Sequence, residues 1–70
     1  MESFVDRMIA EHRELNERIF KLKEFIKSEK FDTLNSENQS LLYAQLHAME
    51  TYCIILTRRI KINTNFGEQK

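Results

Sequence analysis

The sequence predicts an all-α protein, an antiparallel two-helix hairpin that self-associates into a helical bundle. Two stretches, each about 25 residues long, place apolar side chains at alternating steps of three and four, the period of a helix seam rather than of a strand. One short polar stretch separates them. The 70 residues include no proline and one glycine, with 41% apolar and 31% charged residues, a composition that suits long helices and supplies little turn chemistry for anything else.

The first helix is expected from about Phe4 to Ser28. Val5, Met8, His12, Leu15, Ile19, Leu22 and Ile26 form its seam. Ser3 is placed to cap its start, with Asp6 three residues later at the positive end of the helix dipole. Residues 29–35 form the connector, because Ser, Asn and Asp compete for backbone hydrogen bonds and interrupt the helical pattern. Within it, Phe31 and Leu34 read as plugs folding over the end of the core. Ser36 and Gln39 have the form of a capping box, so the second helix is expected over 36–62, with Leu42, Leu46, Met49, Cys53, Leu56 and Ile60 as its seam. Residues 1–62 thus make one domain. The seam stops there, and 63–70 is expected to be a flexible tail from which Phe66 docks on a neighbour.

A core of this size rarely supplies more than about 3–5 kcal/mol, and the single cysteine, Cys53, rules out an internal disulfide. Self-association is the expected remedy. Phe4, Ile9, Phe20 and Phe25 lie beside the first seam, and Leu41, Ala48, Tyr52 and Ile55 beside the second. One partner helix cannot cover a stripe so wide. A dimer forming a four-helix bundle is expected, with a higher closed oligomer as the alternative.

Eleven basic and eleven acidic residues cancel, so no overall field draws the chain to duplex nucleic acid or an anionic membrane. No apolar run reaches the roughly 20 residues of a membrane span, and the acids near the N-terminus are unlike a signal peptide. A cytoplasmic protein is expected, which suits a lone reduced thiol.

If Ile26 lies level with Leu42, antiparallel pairing sets Leu22 beside Leu46, Leu15 beside Cys53 and His12 beside Leu56. His12 then lies about one turn from Tyr52 and Arg59. Arg7, Arg58, Arg59 and Lys61 gather at this open end, together with the N-terminus of the first helix, a combination able to hold an anion. Plainer roles compete. A histidine on an apolar seam more often sets register than binds a ligand, Arg59 can pair with Glu11, and Tyr52 can be core with its hydroxyl at the rim. His12 is read as a register residue that responds to pH: if held neutral, its protonation weakens the assembly.

No cofactor or metal is expected, since neither histidine follows a glutamate by three residues as in di-iron bundles. Cys53 has no evident activating cation. A non-enzyme is expected.

Over roughly residues 4–62, "VDRMIAEHRELNERIFKLKEFI", then Phe31 and Leu34, then "LLYAQLHAMETYCIILTRRI", the chain resembles small helical proteins of tailed bacteriophages and prophages, the crAss-like phage related-protein family. In layout it is similar to the phage sponges that sequester cyclic oligonucleotide or cyclic ADP-ribose signals of bacterial immunity, the anti-CBASS and anti-Thoeris hairpins. Their second helix carries an aromatic-Ala-Asn step where this chain has Met49, Glu50, Thr51 and Tyr52. The resemblance implies an oligomeric sponge that binds an immune nucleotide between subunits without turning it over, through Arg7, Tyr52, Arg58 and Arg59. The alternative is a helical adaptor or inhibitor that docks on a host or phage protein through its apolar stripe or through Phe31 and Leu34 in the connector.

Overall fold

The computed structural model describes residues 3–68, with side chains described for 3–64. Three helices follow one another: α1 (Phe4–Ile26), α2 (Glu29–Asp32) and α3 (Ser36–Glu68). The two long helices pack antiparallel as a hairpin, and no strand occurs among the described residues. The molecule is a thin rod, 55 × 20 × 15 Å.

α1 starts with a complete capping box: the Asp6 amide donates to Ser3 Oγ at 3.1 Å and the Ser3 amide to Asp6 Oδ2 at 3.4 Å. It ends two residues earlier than the sequence suggests, with Lys27 as its C-cap. Ser28 is the reason. Its hydroxyl donates to Phe25 O at 2.6 Å and accepts from the Phe31 amide, closing one helix and opening the next.

The connector is therefore not irregular throughout. α2 makes one turn inside it and buries Phe31, whose ring meets Phe25 and Tyr43 edge-on at centroid distances of 6.3 and 5.5 Å. Leu34 is half-buried beside it in sequence. The cap of α3 also differs from the expected pair. Asn35, not Ser36, accepts from the Asn38 amide at 2.8 Å, while the Gln39 side chain reaches back to Phe31 O at 2.9 Å and ties the α2 turn to α3. A short Asx side chain one residue earlier is the better cap here because Gln39 is drawn to the orphan carbonyl of the α2 turn.

α3 runs on to Glu68, through the 63–68 segment expected to be tail. Asn63 and Thr64 each bond the carbonyl four residues back, at 2.7 and 2.8 Å, which fits helical continuation without a packed seam. The docking expected of Phe66 lies outside the described side chains.

The core of the hairpin is the expected pair of seams. Met8, Leu15, Ile19 and Leu56 are buried against one another, with Val5, Leu46, Met49, Cys53 and Ile60 partly buried around them. This is a narrow core. The accessible surface is 5762 Å², against about 4,700 Å² for a compact globular protein of 8.5 kDa. The excess reflects uncovered flanks on both sides of the hairpin.

Candidate functional site

Two flanks run along the hairpin, one on each side of the seam. The first is built around Tyr52, which lies in α3 between the seam and the outer surface and is 40% exposed. Its hydroxyl donates to Glu11 Oε2 of α1. That bond first, then partial desolvation and the carboxylate charge, holds the Tyr52 hydroxyl above its ordinary ionisation range, while Arg59 nearby acts in the opposite sense. Glu11 thus engages Tyr52 and forms no ion pair with Arg59 of the kind expected from the sequence. The hydrogen bond fixes the hydroxyl end of a side chain that stays substantially exposed.

Arg59 follows Tyr52 by two turns on this flank, whereas Arg58 is rotated about 100° from Arg59 and points away from it. Both are exposed, as is Arg7 in the second turn of α1. The structure therefore brings Tyr52 and Arg59 to one surface and places Arg58 and Arg7 on its margins. At the N-terminus of α1 the capping box takes the Ser3 and Asp6 amides and sets a carboxylate there, which works against an anion. The exposed cations at this end are arginine side chains, Arg7, Arg58 and Arg59, with Lys61.

The opposite flank carries a closed set of hydrogen bonds around His12. Its Nε2 lies 2.9 Å from Thr57 Oγ1 and its Nδ1 lies 3.2 Å from Asn16 Nδ2. Thr57 donates its hydroxyl proton to Cys53 O at 2.9 Å, and the Cys53 thiol donates to Asn16 Oδ1 at 3.3 Å. With the Asn16 amide oriented this way, Asn16 donates to an unprotonated Nδ1 and Nε2–H donates to Thr57, which satisfies every partner. His12 is therefore the seam histidine that the spacing identifies, half-buried and fixed across both helices.

Cys53 Sγ also comes within 3.5 Å of His12 Nε2, closer than the assignment of Leu15 as its neighbour suggests. Two shallow, open grooves flank this set. One, about 480 Å³, is lined by Asn16, Glu17, Phe20 and Lys21; the other, about 370 Å³, by Asn16, Ile19, Lys23, Glu50, Cys53 and Ile54. Among the described residues no three His, Cys, Asp or Glu side chains converge as metal ligands, and no helix is long and apolar enough to cross a membrane.

Asn16, Thr57 and the role of Glu11 escape a reading of single helices. Asn16 follows His12 by four residues and Thr57 follows Cys53 by four, so each is one turn from a polar seam position. That pairing of polar side chains beside two facing seams was the available signal. Phe31 and Leu34, considered as a docking surface, are placed otherwise: Phe31 is only 6% exposed and spends its ring on the aromatic cluster.

Residues 2–62 match the Sequestin family, and the chain belongs to it. No curated protein and no solved structure gives a match.

Proposed function

We propose that this Sequestin-family chain is a phage-encoded, non-catalytic sequestering protein. As a homo-oligomer it binds a nucleotide signal of host immunity, of the cyclic oligonucleotide or cyclic ADP-ribose type, and withholds it in the host cytoplasm. The family name supports sequestration. The resemblance to small tailed-phage proteins and to phage sponges supports the source and the ligand class.

The observation that carries the reading is the uncovered flank where Tyr52, held at its edge by Glu11, shares a surface with Arg59. A base stacks on the tyrosine ring, and phosphate oxygens take guanidinium N–H groups. Arg58 and Arg7 reach the same ligand from its margins. No bond in the ligand is made or broken; the protein acts by lowering the free concentration of the signal. A rod one hairpin thick cannot enclose a nucleotide, so the ligand is covered only between copies.

The test is native mass spectrometry of protein purified from its type of host, gently and again after denaturation, followed by calorimetry with cyclic di- and trinucleotides and cyclic ADP-ribose isomers. An oligomer carrying a small mass that leaves on denaturation, with binding lost in Tyr52→Ala and Arg59→Ala, is the expected result. Absence of binding across the whole panel overturns the nucleotide reading.

The second reading, an adaptor or inhibitor that binds a host or phage protein, draws on the exposed Ile9, Phe20 and Ile54 of the other flank. With Phe31 in the core, it would act through the helix faces and not through the connector.

A further inference from the structure

The flank that carries Tyr52 contains a second apolar stripe, on α3 alone. Leu41, Ala48, Ile55 and Ile62 recur at intervals of seven residues, which keeps them on one face of the helix. All four are exposed: Leu41 60%, Ile55 48% and Ile62 61%, with Ala48 exposed too. None of them belongs to the α1–α3 core. The stripe runs through the middle of a 33-residue helix, and among the described residues nothing of its own chain covers it.

Its order is self-complementary. The four positions are symmetric about a point between Thr51 and Tyr52, so an antiparallel copy of α3 centred there sets Leu41 against Ile62 and Ala48 against Ile55. Each contact pairs a residue with one that fits it: the small Ala48 receives the bulky Ile55, twice by symmetry. A two-fold axis requires that kind of reciprocal pairing.

Area agrees with such a partner. The chain exposes roughly 1,100 Å² more than a compact protein of its mass, spread over both flanks, which leaves room for one standard interface of about 800 Å² on each partner. The geometry points to a second copy of this chain as the occupant, its α3 lying antiparallel on the Leu41/Ala48/Ile55/Ile62 stripe with the axis between Thr51 and Tyr52.

The dimer completes the ligand site, and in this respect the inference rests on the nucleotide reading above. Tyr52 follows Ala48 by four residues and precedes Ile55 by three, so it borders the stripe on the side of α1. At the axis the two Tyr52 rings become neighbours, each tied to its own Glu11, with one Arg59 two turns away on either side. A single chain offers one ring and one adjoining arginine. The pair offers two of each around a common centre, so the site is incomplete without the second copy.

The test uses the full chain with Cys53→Ser, which removes the native thiol, and adds either Ala48→Cys or Ile55→Cys. Across the proposed axis, residue 48 of one copy meets residue 55 of the other. Each is about 10 Å along the axis from its own counterpart, beyond disulfide reach. Mild oxidation of the two variants mixed together therefore gives a covalent dimer, and each variant alone gives none. Self-cross-linking of either variant alone, which a parallel in-register pair would produce, overturns the proposal.

In parallel, light scattering reads the mass of Ile55→Glu and of Phe20→Glu, the latter on the opposite flank. Ile55→Glu is expected to reduce the assembly while Phe20→Glu leaves it intact; the reverse pattern, or a wild-type mass of one chain, overturns the proposal. If Ile55→Glu loses its helical circular dichroism, the cross-linking decides. None of these readouts needs a ligand. A cross-linked dimer that binds no nucleotide upholds this interface and defeats the nucleotide reading, whereas nucleotide binding by a single chain overturns the site shared between copies and leaves the ligand class standing.

Discussion

Leu56→Ala tests the architecture at its most sensitive point. Leu56 is fully buried, set among Met8, Leu15 and Ile19, so truncation removes three side-chain carbons from a site that two rigid helices cannot close. Leu→Ala changes at such positions cost about 3–5 kcal/mol. Folded chains hold about 0.05–0.15 kcal/mol per residue, which for this length is roughly 4–10 kcal/mol. One substitution therefore removes a large share of the total. In urea, with a slope of about 1 kcal/mol/M for a small protein, the midpoint by circular dichroism falls by about 3 M, or the chain is unfolded from the start. The control is Ile54→Ala, two residues away on the same helix but 66% exposed and off the self-complementary stripe, for which a change within about 0.5 kcal/mol is expected. Both are measured at one protein concentration, because any self-association would make the measured stability concentration-dependent. A loss below 1 kcal/mol for Leu56→Ala, or an equal loss for Ile54→Ala, would mean that α3 meets α1 through a different face.

Three further predictions follow from particular contacts. Phe31→Ala should cost about 3–5 kcal/mol by emptying the aromatic cluster with Phe25 and Tyr43, seen as a drop in the thermal midpoint; an unchanged midpoint would return Phe31 to the surface. Ser3→Ala removes the acceptor for the Asp6 amide and should cost about 1 kcal/mol, read by urea unfolding or by faster amide exchange in the first turn of α1. The Tyr52 hydroxyl, raised by its bond to Glu11, contributes stability that is complete below its unfolded value of about 10 and is lost as pH rises through the higher folded value. Spectrophotometric titration should show one tyrosine ionising earlier in Glu11→Gln than in the wild type. Identical titration curves would remove the Tyr52–Glu11 contact from the folded protein in solution.

The helical hairpin was legible because its cause is local and periodic. Six apolar residues and His12 from Val5 to Ile26, and six apolar residues from Leu42 to Ile60, line one face of each helix, and any antiparallel pairing that buries both seams brings Met8, Leu15, Ile19 and Leu56 inside. Ser3 and Asp6 announced the start of α1 for the same reason, since a capping box needs only three residues of helix. His12 could be recognised as a polar break in the seam, and its level along α3 could be counted to within about a residue. Its partners could not. Asn16 and Thr57 reach it only once the rotation of each helix about its own axis is settled, and that rotation depends on the whole packed seam.

Competition between neighbouring groups likewise escaped a linear reading. Gln39 had the spacing of a capping partner but was taken by Phe31 O, leaving Asn35 to cap α3. Glu11 had a plausible cation in Arg59 but was taken by Tyr52. Each choice is made by distances across the hairpin. Apolar period and capping sequence by themselves determined two helices, their antiparallel pairing and most of the core. Tertiary structure alone decided which flank gathers Tyr52, Glu11 and Arg59, and that Ile62 joins Leu41, Ala48 and Ile55 on the uncovered face, because burial depends on how far one narrow helix can reach around another.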